Sequence, residues 1–499
     1  MKESRKNMDR KTGSYPFGFV SRLRVAVFAV FAVVASGLFA ASPKYVFYFI
    51  GDGMGTAHRE LADVYSRVVG RGELAMDSFA SRANVATHSA NSPVTDSAAA
   101  GTALACGVKT RNGMLGVDVA TNPVCSCATL AKRLGMKVGI ISTVMTTHAT
   151  PGAFYAHQPN RGLSYEIAIE LVHSGFDFFG GGGLDWQYKN PKAKSFPKYG
   201  HAYRYAEAKG YRVVRTLKDF EQLKRGDGKV LTRFTDSQLP GEIEIREPRR
   251  TPTLRQLVAK AVKMLDCPEG FFIMAEGGRV DWASHANDPA ALMHEILALD
   301  DAVKVALEFG ARHPGETLIL VTADHETGGL EFARDGGRPA VDAGVLTNQV
   351  CSVGQFSSLV RKRLEKDPEL EFGEIEPLIA ENFGLRFSGD AAADKMVLAA
   401  DEIERLKRQL EVDRATSKKK VAEDNGYMAR KRYVFAKAVK ECIDVRTGVK
   451  WNSPGHTGAK VLCTAKGCGE GDFTGELDNT DIAKKLKALL SSGARAASK

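Results

Sequence analysis

The segment KYVFYFI, Lys44–Ile50, is an apolar run that ends at Gly51, Asp52 and Gly53. A strand buried on both faces of a parallel sheet has this pattern. Further strand candidates are Met136–Thr143, Phe176–Phe179, Tyr211–Val214, Gly270–Ala275 and Thr317–Ala323, and helical patterns between them include Ala57–Val69, Thr253–Leu265 and Pro289–Phe309. The alternation predicts an α/β fold with one large, mostly parallel central sheet and helices on both of its faces.

The composition is that of an ordinary globular protein, with 499 residues of which 44% are hydrophobic and 26% charged. This length suits two or three domains, or one large α/β enzyme with an inserted subdomain. The formal net charge is +10, but lysine and arginine are spread along the chain and no nucleic-acid-binding motif accompanies them. We therefore expect attraction to anionic small substrates or an anionic surface, and no nucleic-acid-specific binding.

The N-terminus has the pattern of a secretory signal. Basic residues between Lys2 and Arg24 precede the apolar run Val25–Phe39, which is followed by the small residues Ala40, Ala41 and Ser42. Residues 1–42 are thus predicted to be a signal peptide that exports the protein to the periplasm or cell surface. The run is nearly long enough to cross a membrane, so an uncleaved anchor that gives membrane association is the alternative.

Eight cysteines fit an exported protein. Cys125 lies close to Cys127 in the sequence, and Cys463 lies close to Cys468, so two local disulfides can form. Neither pair has a partner CxxC, so structural zinc is not expected. The others are equally well explained as free buried thiols; they are Cys106, Cys267, Cys351 and Cys442.

The character of the chain changes at residue 349, where helical and strongly charged sequence begins and continues to residue 447. We interpret residues 349–447 as a helical subdomain inserted into a catalytic core made of residues 43–348 and 448–490. Its basic runs Lys418–Lys420 and Arg430–Arg432 are predicted to be solvated faces, with binding to an anionic surface as the alternative. Thr480–Leu490 is predicted to be a short helix, followed by a disordered tail at 491–499.

A serine stands at the predicted start of a helix in TDSAAAGTALACGVKT, Thr95–Thr110. Thr95, Asp96 and Ser97 can all cap a helix, and the alanines that follow favour helix. Backbone N–H groups and the helix dipole would then favour an anion such as phosphate beside Ser97. The alternative is a serine that only caps the helix, but the acid- and histidine-rich segments elsewhere favour an anion site.

Two of those segments follow predicted strands. Asp52 comes directly after the first strand, between glycines that let a ligand approach the backbone. Asp324 and His325, in ADHET, follow the strand at Thr317–Ala323 and offer an oxygen and an imidazole, which zinc accepts. Gly-Asp-Gly alone also fits an ordinary turn. Ligands bind at the carboxyl ends of strands in open α/β sheets, which favours a site here.

A third segment, AEGGRVDWASHAND, follows the strand GFFIMA. Asp281 and His285 are four residues apart, so on a helix they share a face and can bind one metal ion together. Glu276 lies at the strand end and can serve a different ion. The alternative, a polar loop with a capping aspartate, poorly explains three ligand types so close together.

Three further candidates carry little signal alone. By itself, His456 in SPGHTG is more often a surface histidine than a ligand. Thr150 precedes a proline turn, and the alternative for Arg161 is a solvated surface arginine. With His456, the candidate ligands exceed what one ion needs and suit two or three ions. Because parallel strands end along one edge, we expect these side chains to converge, and two zinc ions beside a serine would suit in-line phosphoryl displacement.

These motifs closely resemble those of the alkaline phosphatase family, in the family's order. The matching segments are IGDGMG at Ile50–Gly55, TDSAAAGTA at Thr95–Ala103, HATP at His148–Pro151, AEGGRVDWASHAN at Ala275–Asn287, TADHETGG at Thr322–Gly329, GHTG at Gly455–Gly458 and FTGELDNTDIAKKL at Phe473–Leu486. The resemblance spans Tyr45 to about Leu490 and is weakest in the helical insert. It implies a three-layer α/β sandwich and a metal-dependent phosphomonoesterase.

The resemblance also implies roles for individual residues. Ser97 would be the nucleophile that becomes phosphoserine, and Arg161 would hold the phosphate oxygens. The metal ligands would fall into three groups: Asp52, Asp324 and His325 for the zinc ion that activates Ser97; Asp281, His285 and His456 for the second zinc ion; and Asp52, Thr150 and Glu276 for magnesium.

Two positions that vary within the family lie near the phosphate in this assignment. His148 stands where some members have aspartate, which would shift the third site from magnesium toward zinc or cobalt. Trp282 stands where some members have lysine or histidine, which removes a cationic contact to phosphate and would weaken product binding.

The resulting expectation is an exported hydrolase of small phosphate monoesters with an alkaline optimum, and the family resemblance implies a homodimer. A phosphodiesterase or sulfatase of the same superfamily is the nearest alternative, although the alanines after Ser97 do not fit a sulfatase nucleophile. A catalytically silent protein that binds metal or phosphate at the cell surface is the alternative from another class.

Overall fold

The computed structural model describes residues 42–245, 247–418 and 434–497. Among these residues, ten strands form one sheet in the order β16-β2-β15-β8-β1-β7-β3-β4-β6-β5. The strands are β1 (Tyr45–Gly51), β2 (Ser81–Ala86), β3 (Lys137–Ser142), β4 (Phe178–Gly180), β5 (Tyr211–Val214), β6 (Lys229–Thr232), β7 (Phe271–Gly277), β8 (Thr317–Ala323), β15 (Val461–Gly467) and β16 (Gly475–Asp478).

The sheet is mostly parallel, as predicted. β1 lies at its centre between β7 and β8, parallel to both, and every residue of these three strands is buried. Only β15 runs against its neighbours β2 and β8 within the described sheet. The six strand segments named from the sequence all form strands of this sheet.

Four strands of the sheet carry a weaker sequence signal and were not predicted. β2 alternates buried and exposed residues, and β16 at the sheet edge is half exposed. β6 has four residues, and β15 ends in exposed Lys466 and Gly467. These strands lie toward the edges of the sheet or contain polar residues, so their sequences are not continuously apolar.

Short strands outside the main sheet form three antiparallel pairs among the described residues. They are β9 (Glu326–Thr327) with β14 (His456–Thr457), β10 (Leu330–Phe332) with β13 (Val449–Trp451), and β11 (Arg334–Asp335) with β12 (Arg338–Pro339). The β9–β14 pair brings a C-terminal segment back to the end of β8.

The α-helices are α1 (Thr56–Val68), α2 (Ser97–Cys106), α3 (Cys127–Arg133), α4 (Ala149–Gly152), α5 (Ser164–Ser174), α6 (Phe196–Tyr199), α7 (Ala202–Ala208), α8 (Leu217–Glu221), α9 (Leu254–Leu265), α10 (Arg279–His285), α11 (Pro289–Arg312), α12 (Val353–Lys366), α13 (Phe372–Phe383), α14 (Ala400–Lys418), α15 (Phe435–Thr447) and α16 (Asn479–Ala497). Short 3₁₀ helices cover Ala75–Ser78, Trp186–Lys189, Glu242–Glu244, Ala343–Asn348 and Glu470–Asp472.

Helices cover both faces of the sheet. Successive side chains of a strand point to opposite faces. On β1, the Phe47 ring packs against Phe309 of α11 with centroids 5.6 Å apart, whereas the next residue, Tyr48, donates its hydroxyl to the Leu104 carbonyl of α2 at 3.2 Å. The predicted three-layer arrangement is therefore confirmed at the central strand.

The segment predicted to be helical contains α12 to α15. It is joined to the start of α11 through Asp288, whose carboxylate accepts from the Val353 N–H at 2.7 Å and from the Gln349 amide at 2.8 Å. This segment belongs to the same compact unit as the sheet, Ser42–Lys499. The predicted boundaries at 349 and 447 remain predictions.

The structure bears differently on the expected C-terminal tail, the two local disulfides, and the N-terminal leader with the basic runs. Helix α16 continues to Ala497, past Leu490, into the stretch expected to be disordered. No disulfide joins Cys125 to Cys127 or Cys463 to Cys468, and Cys463 is buried within β15. The predicted leader at 1–42, apart from Ser42, lies outside the described residues, as do the two basic runs at 418–420 and 430–432 apart from Lys418. Within the described ranges, no helix has the length and hydropathy needed to cross a bilayer.

Candidate active site

The candidate ligands at the strand ends lie side by side. Asp52 follows β1, Glu276 is the next-to-last residue of β7, and Asp324 follows β8. The register pairs Ile50 with Glu276 and Gly51 with Ala323, so the three carboxylates meet at the same edge. All three are fully buried, which is unusual for carboxylates that have no cationic partner.

Ser97 begins α2, and the N-cap of this helix is Asp96, whose carboxylate accepts from the Ala99 N–H at 3.0 Å. The Ser97 hydroxyl is therefore not used for capping. Its Oγ lies 3.3 Å from Nε2 of His325, and the side chain is almost completely buried. The hydroxyl thus faces the strand-end cluster from the positive end of a helix.

His325 presents a lone pair to this hydroxyl. The Thr327 hydroxyl donates to Asp281 Oδ1 at 2.7 Å, so its oxygen accepts the Nδ1 proton of His325 at 3.2 Å. Nε2 is then unprotonated, and it lies 3.4 Å from both Asp52 Oδ1 and Asp324 Oδ2. An imidazole nitrogen and carboxylate oxygens of this kind are suitable metal ligands.

A second group is formed by Asp281, His285 and His456. Nδ1 of His285 donates to the Pro454 carbonyl at 2.6 Å, and Nδ1 of His456 donates to the Thr95 carbonyl at 2.9 Å. The two Nε2 atoms face each other at 3.2 Å, and in the neutral rings each carries a lone pair. Asp281 lies 3.3 Å from the first and 3.6 Å from the second. Two imidazole nitrogens and a carboxylate at these distances can hold one metal ion between them.

A third group contains Asp52, His148 and Glu276, whose ligand atoms all lie within 4.8 Å of one another. Nδ1 of His148 is 3.7 Å from Asp52 Oδ2 and 3.6 Å from Glu276 Oε1. The Thr150 hydroxyl donates to Asp52 Oδ2 at 3.4 Å, so Thr150 lies beside this group. Asp52 belongs to this third group and also lies next to His325, so the two groups are adjacent.

The grouping of ligand atoms differs at one position from the set that the resemblance implies. The ligand atoms of Asp52, Asp281 and His325 all lie within 4.8 Å of one another. Asp281 therefore stands where the resemblance places Asp324. Asp324 remains close, because its Oδ2 is 3.4 Å from His325 and its Oδ1 accepts from the Gly53 N–H at 3.0 Å. Asp281 thus lies between the two zinc-type groups.

Arg161 and Trp282 border the cluster. The guanidinium of Arg161 donates to Asp96 Oδ2 at 3.1 Å and to Nε2 of His148 at 3.1 Å, which places it beside Ser97. The Trp282 ring lies with its centroid 6.5 Å from that of His148. The structure therefore brings all twelve candidate residues into one region.

The buried negative charge of the cluster favours the binding of cations. Asp52 Oδ1, Glu276 Oε1 and Asp324 Oδ2 are buried and accept no hydrogen bond from the described residues. Burial raises the pKa of Asp52 well above its usual range, and the charge of Asp324 adds to this; burial also raises the pKa of Asp324 to about 6. Buried carboxylates with unused oxygens fit divalent cations, so the residues present fit the metal ions that the motifs imply.

The site histidines differ in how the protein shifts their pKa. For His285, burial lowers the pKa, but the hydrogen bond to Asp281 and the charge of that carboxylate outweigh burial and raise it. Burial lowers the pKa of His325 to about 4 and that of His456 to about 4. Both imidazoles are therefore unprotonated at neutral pH, as metal ligands must be.

The sequence did not reveal several supporting residues. Thr327 orients both Asp281 and His325, and the Ser142 hydroxyl donates to Glu276 Oε2. The available signal was positional, since Ser142 ends β3 and Thr327 follows the ADHE segment. Gly53 also contributes, because a Cβ at this residue would lie 2.8 Å from Asp281 Oδ1 and its φ is +72°.

Comparisons with known proteins agree with this geometry. The family model described as alkaline phosphatase matches residues 43–492. Alkaline phosphatase 3 of Bacillus subtilis is 30% identical over 462 residues, covering 89% of each chain. The cold-active alkaline phosphatase from the psychrophile Shewanella sp. is 27% identical with a TM-score of 0.72, covering 89% of this chain and 99% of that one.

A further solved structure is a histidine-to-glutamate variant of the alkaline phosphatase from the Antarctic bacterium TAB5, with Mg bound in its M3 site. It is 25% identical with a TM-score of 0.61, covering 91% of this chain and 99% of that one. The chain thus belongs to the alkaline phosphatase family, whose enzymes are metal-dependent hydrolases of phosphate monoesters.

Proposed function

We propose that this chain hydrolyses phosphate monoesters at alkaline pH through a phosphoserine intermediate on Ser97. The observation that carries the proposal is the placement of the buried Ser97 hydroxyl 3.3 Å from Nε2 of His325, at the start of α2 and beside two groups of metal-type ligands. A serine hydroxyl is a poor nucleophile near neutral pH, so it needs such an environment.

The residues that would hold the metal ions follow the observed groups. We assign Asp52, Asp324 and His325, together with Ser97, to one zinc ion, and Asp281, His285 and His456 to a second. Asp52, Thr150 and Glu276 would hold magnesium. When bound, the two zinc ions would lower the pKa of the serine hydroxyl and of water and offset charge on the departing oxygen, while magnesium would balance the remaining carboxylates.

The chain's own groups supply positioning and proton control. The Ser97 hydroxyl gives up its proton to solvent as Oγ forms a bond to phosphorus. The bond between phosphorus and the ester oxygen breaks, and the departing alkoxide takes up a proton from solvent. Water then attacks the phosphoserine and releases inorganic phosphate and the free hydroxyl. Arg161 holds the non-transferring oxygens through its planar fork. Two displacements at phosphorus give net retention of configuration.

The third site contains a histidine, His148, that contacts Arg161. Because Arg161 donates to Nε2 of His148, the Nδ1 proton of His148 points at Asp52 and Glu276. If Nδ1 of His148 binds a metal ion instead, the ring proton is on Nε2. Nε2 then cannot accept from Arg161, and the guanidinium is free to turn to the phosphate. We therefore propose that zinc or cobalt, which accept imidazole, can replace magnesium at this site.

The TAB5 structure described above holds Mg in its M3 site once a histidine is replaced by glutamate. This is consistent with a carboxylate at such a position accepting magnesium, whereas His148 offers an imidazole. Trp282 provides no cationic group for the phosphate in this chain, so we propose weak binding of the inorganic phosphate product.

Two other activities would use similar residues. A phosphodiesterase or sulfatase of the same superfamily would share the metal ligands, and a silent surface protein would bind metal or phosphate without using Ser97. The small residues after Ser97 do not form the Cys/Ser-x-Pro-x-Arg sequence of a sulfatase. Binding alone needs no buried serine beside two ligand groups.

The test is metal analysis by mass spectrometry of the purified protein, together with rates on a phosphate monoester, a diester and a sulfate ester. We expect at least two divalent ions per chain and a strong preference for the monoester. Fewer than two ions per chain and no monoesterase activity would overturn the proposal, whereas preferred hydrolysis of the diester or sulfate would support the alternatives.

We further propose that the enzyme is exported, that its leader is residues 1–42, and that it acts as a homodimer. The basic and apolar pattern of the leader supports export. The division into a core at 43–348 and 448–490 and an insert at 349–447 is part of this proposal.

A further inference from the structure

One segment at the edge of the sheet is strongly basic. Residues 186–218 contain nine lysines and arginines but only one acidic residue, Glu207, so their formal net charge is +8, against +10 for the whole chain. The segment runs from the 3₁₀ helix Trp186–Lys189 through α6 and α7 to β5, the outermost strand at the end of the sheet opposite β16. It contains none of the candidate metal ligands.

Six of these cations are exposed, and none of the six forms an ion pair with another described residue. They are Lys189, Lys192, Lys194, Lys198, Arg204 and Lys209. Glu207 is already used, because it pairs with Arg215 at 2.8 Å. The positive charge is therefore not neutralised within the described part of the chain. We call these six residues, together with Trp186, the basic patch.

Ring contacts hold the two ends of α7 close together. The rings of Tyr199 and Tyr205 pack with centroids 4.9 Å apart. The ammonium of Lys198 lies 5.0 Å from the Tyr199 centroid, and that of Lys209 lies 5.6 Å from the Tyr205 centroid. Lys198, before the helix, and Lys209, after it, are thereby brought onto one surface.

Trp186 adds a large apolar ring to this surface. It begins the 3₁₀ helix that ends at Lys189, and Tyr188 of the same helix packs against His201 at the start of α7, with centroids 5.0 Å apart. The Trp186 side chain is 68% exposed, whereas the other two tryptophans of the chain are partly covered. Tryptophan favours the interface between a bilayer and water, where its ring lies at the level of the headgroups.

The rings of the patch do not form a platform for nucleic-acid bases. Such a platform needs several open aromatic faces, on which successive bases stack. Tyr188 and Tyr203 are buried, and Tyr199 and Tyr205 pack against each other beneath lysines. Trp186 is therefore the one fully exposed ring among these aromatic residues.

The kind of cation also favours a lipid surface. Five of the six exposed cations are lysines, which act as point charges on flexible stems, whereas the planar fork of arginine suits a phosphate held in one position. Mobile point charges suit a fluid array of anionic headgroups. Each lysine near such a surface strengthens binding by about fivefold.

We propose that the basic patch docks this protein on a lipid bilayer rich in anionic headgroups, with the Trp186 ring at headgroup depth. The proposed export brings the patch to a membrane surface. The docking uses neither Ser97 nor the metal ligands, so it stands or fails independently of the proposed phosphatase chemistry.

The experiment measures binding of the exported protein, collected without detergent, to sedimented vesicles of phosphatidylcholine with or without about 30% phosphatidylglycerol. The patch variant combines Lys192→Ser, Lys194→Ser and Lys198→Ser. The matched control replaces three other exposed lysines that form no ion pair within the described ranges, by Lys362→Ser, Lys366→Ser and Lys450→Ser. Since all variants share residues 1–42, any binding by the leader cancels between the patch variant and its control.

We expect the wild type to bind the phosphatidylglycerol vesicles at least about tenfold more tightly than pure phosphatidylcholine vesicles. The patch variant should lose about 10- to 100-fold in this binding, and the control less than about twofold. Trp186→Ser should lose about three- to tenfold, because part of the ring leaves water on docking. It should also abolish the blue shift of tryptophan fluorescence that the vesicles cause in the wild type.

Equal binding of the wild type to both kinds of vesicle would overturn the inference. Equal losses in the patch and control variants would also overturn it, since binding would then lie elsewhere on the chain. Binding to single-stranded DNA without binding to phosphatidylglycerol vesicles would overturn it in favour of a nucleic-acid surface. Hydrolysis of p-nitrophenyl phosphate, measured on the same proteins, tests the proposed function separately.

Discussion

The imidazole of His456 stacks on that of His325, with ring centroids 3.6 Å apart and 22° between the ring planes. The pairing of β14 with β9, in which His456 lies opposite Thr327, sets this contact. A short antiparallel pair therefore completes a site whose other ligands come from the ends of parallel strands and from helices such as α10. Without it, His456 could not join the second ligand group.

Gly53 allows the backbone to approach Asp281, and its substitution should disturb the site. In Gly53→Ala, the new Cβ would lie 2.8 Å from both Asp281 Oδ1 and Thr327 Oγ1 at a φ of +72°. We expect Asp281 to move, with a loss of bound zinc and of at least about tenfold in activity. Zinc content and p-nitrophenyl phosphate hydrolysis measure this.

Gly70→Ala is the matched control, since Gly70 has a φ of +75° and nothing within 4 Å of the added Cβ. It should reduce stability by about 1–2 kcal/mol through backbone strain alone, with normal zinc content. If the two variants retain the same zinc content and activity, the close approach at Gly53 has no role in the site.

Thr327 should control zinc affinity without touching substrate. Thr327→Val removes the hydroxyl that donates to Asp281 and accepts from His325, so both ligands lose their orientation. We expect zinc affinity to fall by about 10- to 100-fold, measured by competition with a chelator. Thr347→Val, an exposed change in the Ala343–Asn348 turn, should have no effect. Unchanged affinity in Thr327→Val would argue that the hydroxyl does not position the ligands.

Glu295 should make stability depend on pH. Burial raises the pKa of Glu295 from 4.5 to about 7, although the charge of Arg279 opposes this. Its protonated form is favoured in the folded protein, so its contribution to stability is full below about pH 4.5 and is lost as the pH rises through about 7. Through Glu295, the wild type should lose about 1–3 kcal/mol of unfolding free energy between pH 5 and 8. Glu295→Gln should not show this loss.

Denaturant unfolding at both pH values measures this difference. Glu308→Gln, whose side chain is 58% exposed, is the control and should follow the wild type. An identical pH dependence in the wild type and Glu295→Gln would show that Glu295 does not titrate in this range.

The central fold follows directly from the sequence because β1, β7 and β8 are buried on both faces and therefore continuously apolar. β2 and β16 could not be identified in this way, since half of their residues face solvent. The antiparallel direction of β15 depends on its pairing with β2 and β8, which no local pattern encodes.

The site was predictable where ligands follow strands and where motifs match a known family. Asp52, Asp324 and His325 follow apolar runs, so their convergence could be inferred from topology. The supporting contacts could not, because the hydrogen bonds of Thr327 and Ser142 join segments far apart in the sequence. Likewise, nothing in the sequence shows that Asp96, rather than Ser97, caps α2.

The role of Ser97 as nucleophile is tested most directly by Ser97→Ala, assayed with saturating zinc and magnesium on p-nitrophenyl phosphate. We expect the wild type to carry phosphate on the peptide that contains Ser97 after rapid acid quenching, and the variant to lose at least about a thousandfold in kcat with unchanged folding. A variant that hydrolyses the ester at the wild-type rate would contradict the proposed mechanism.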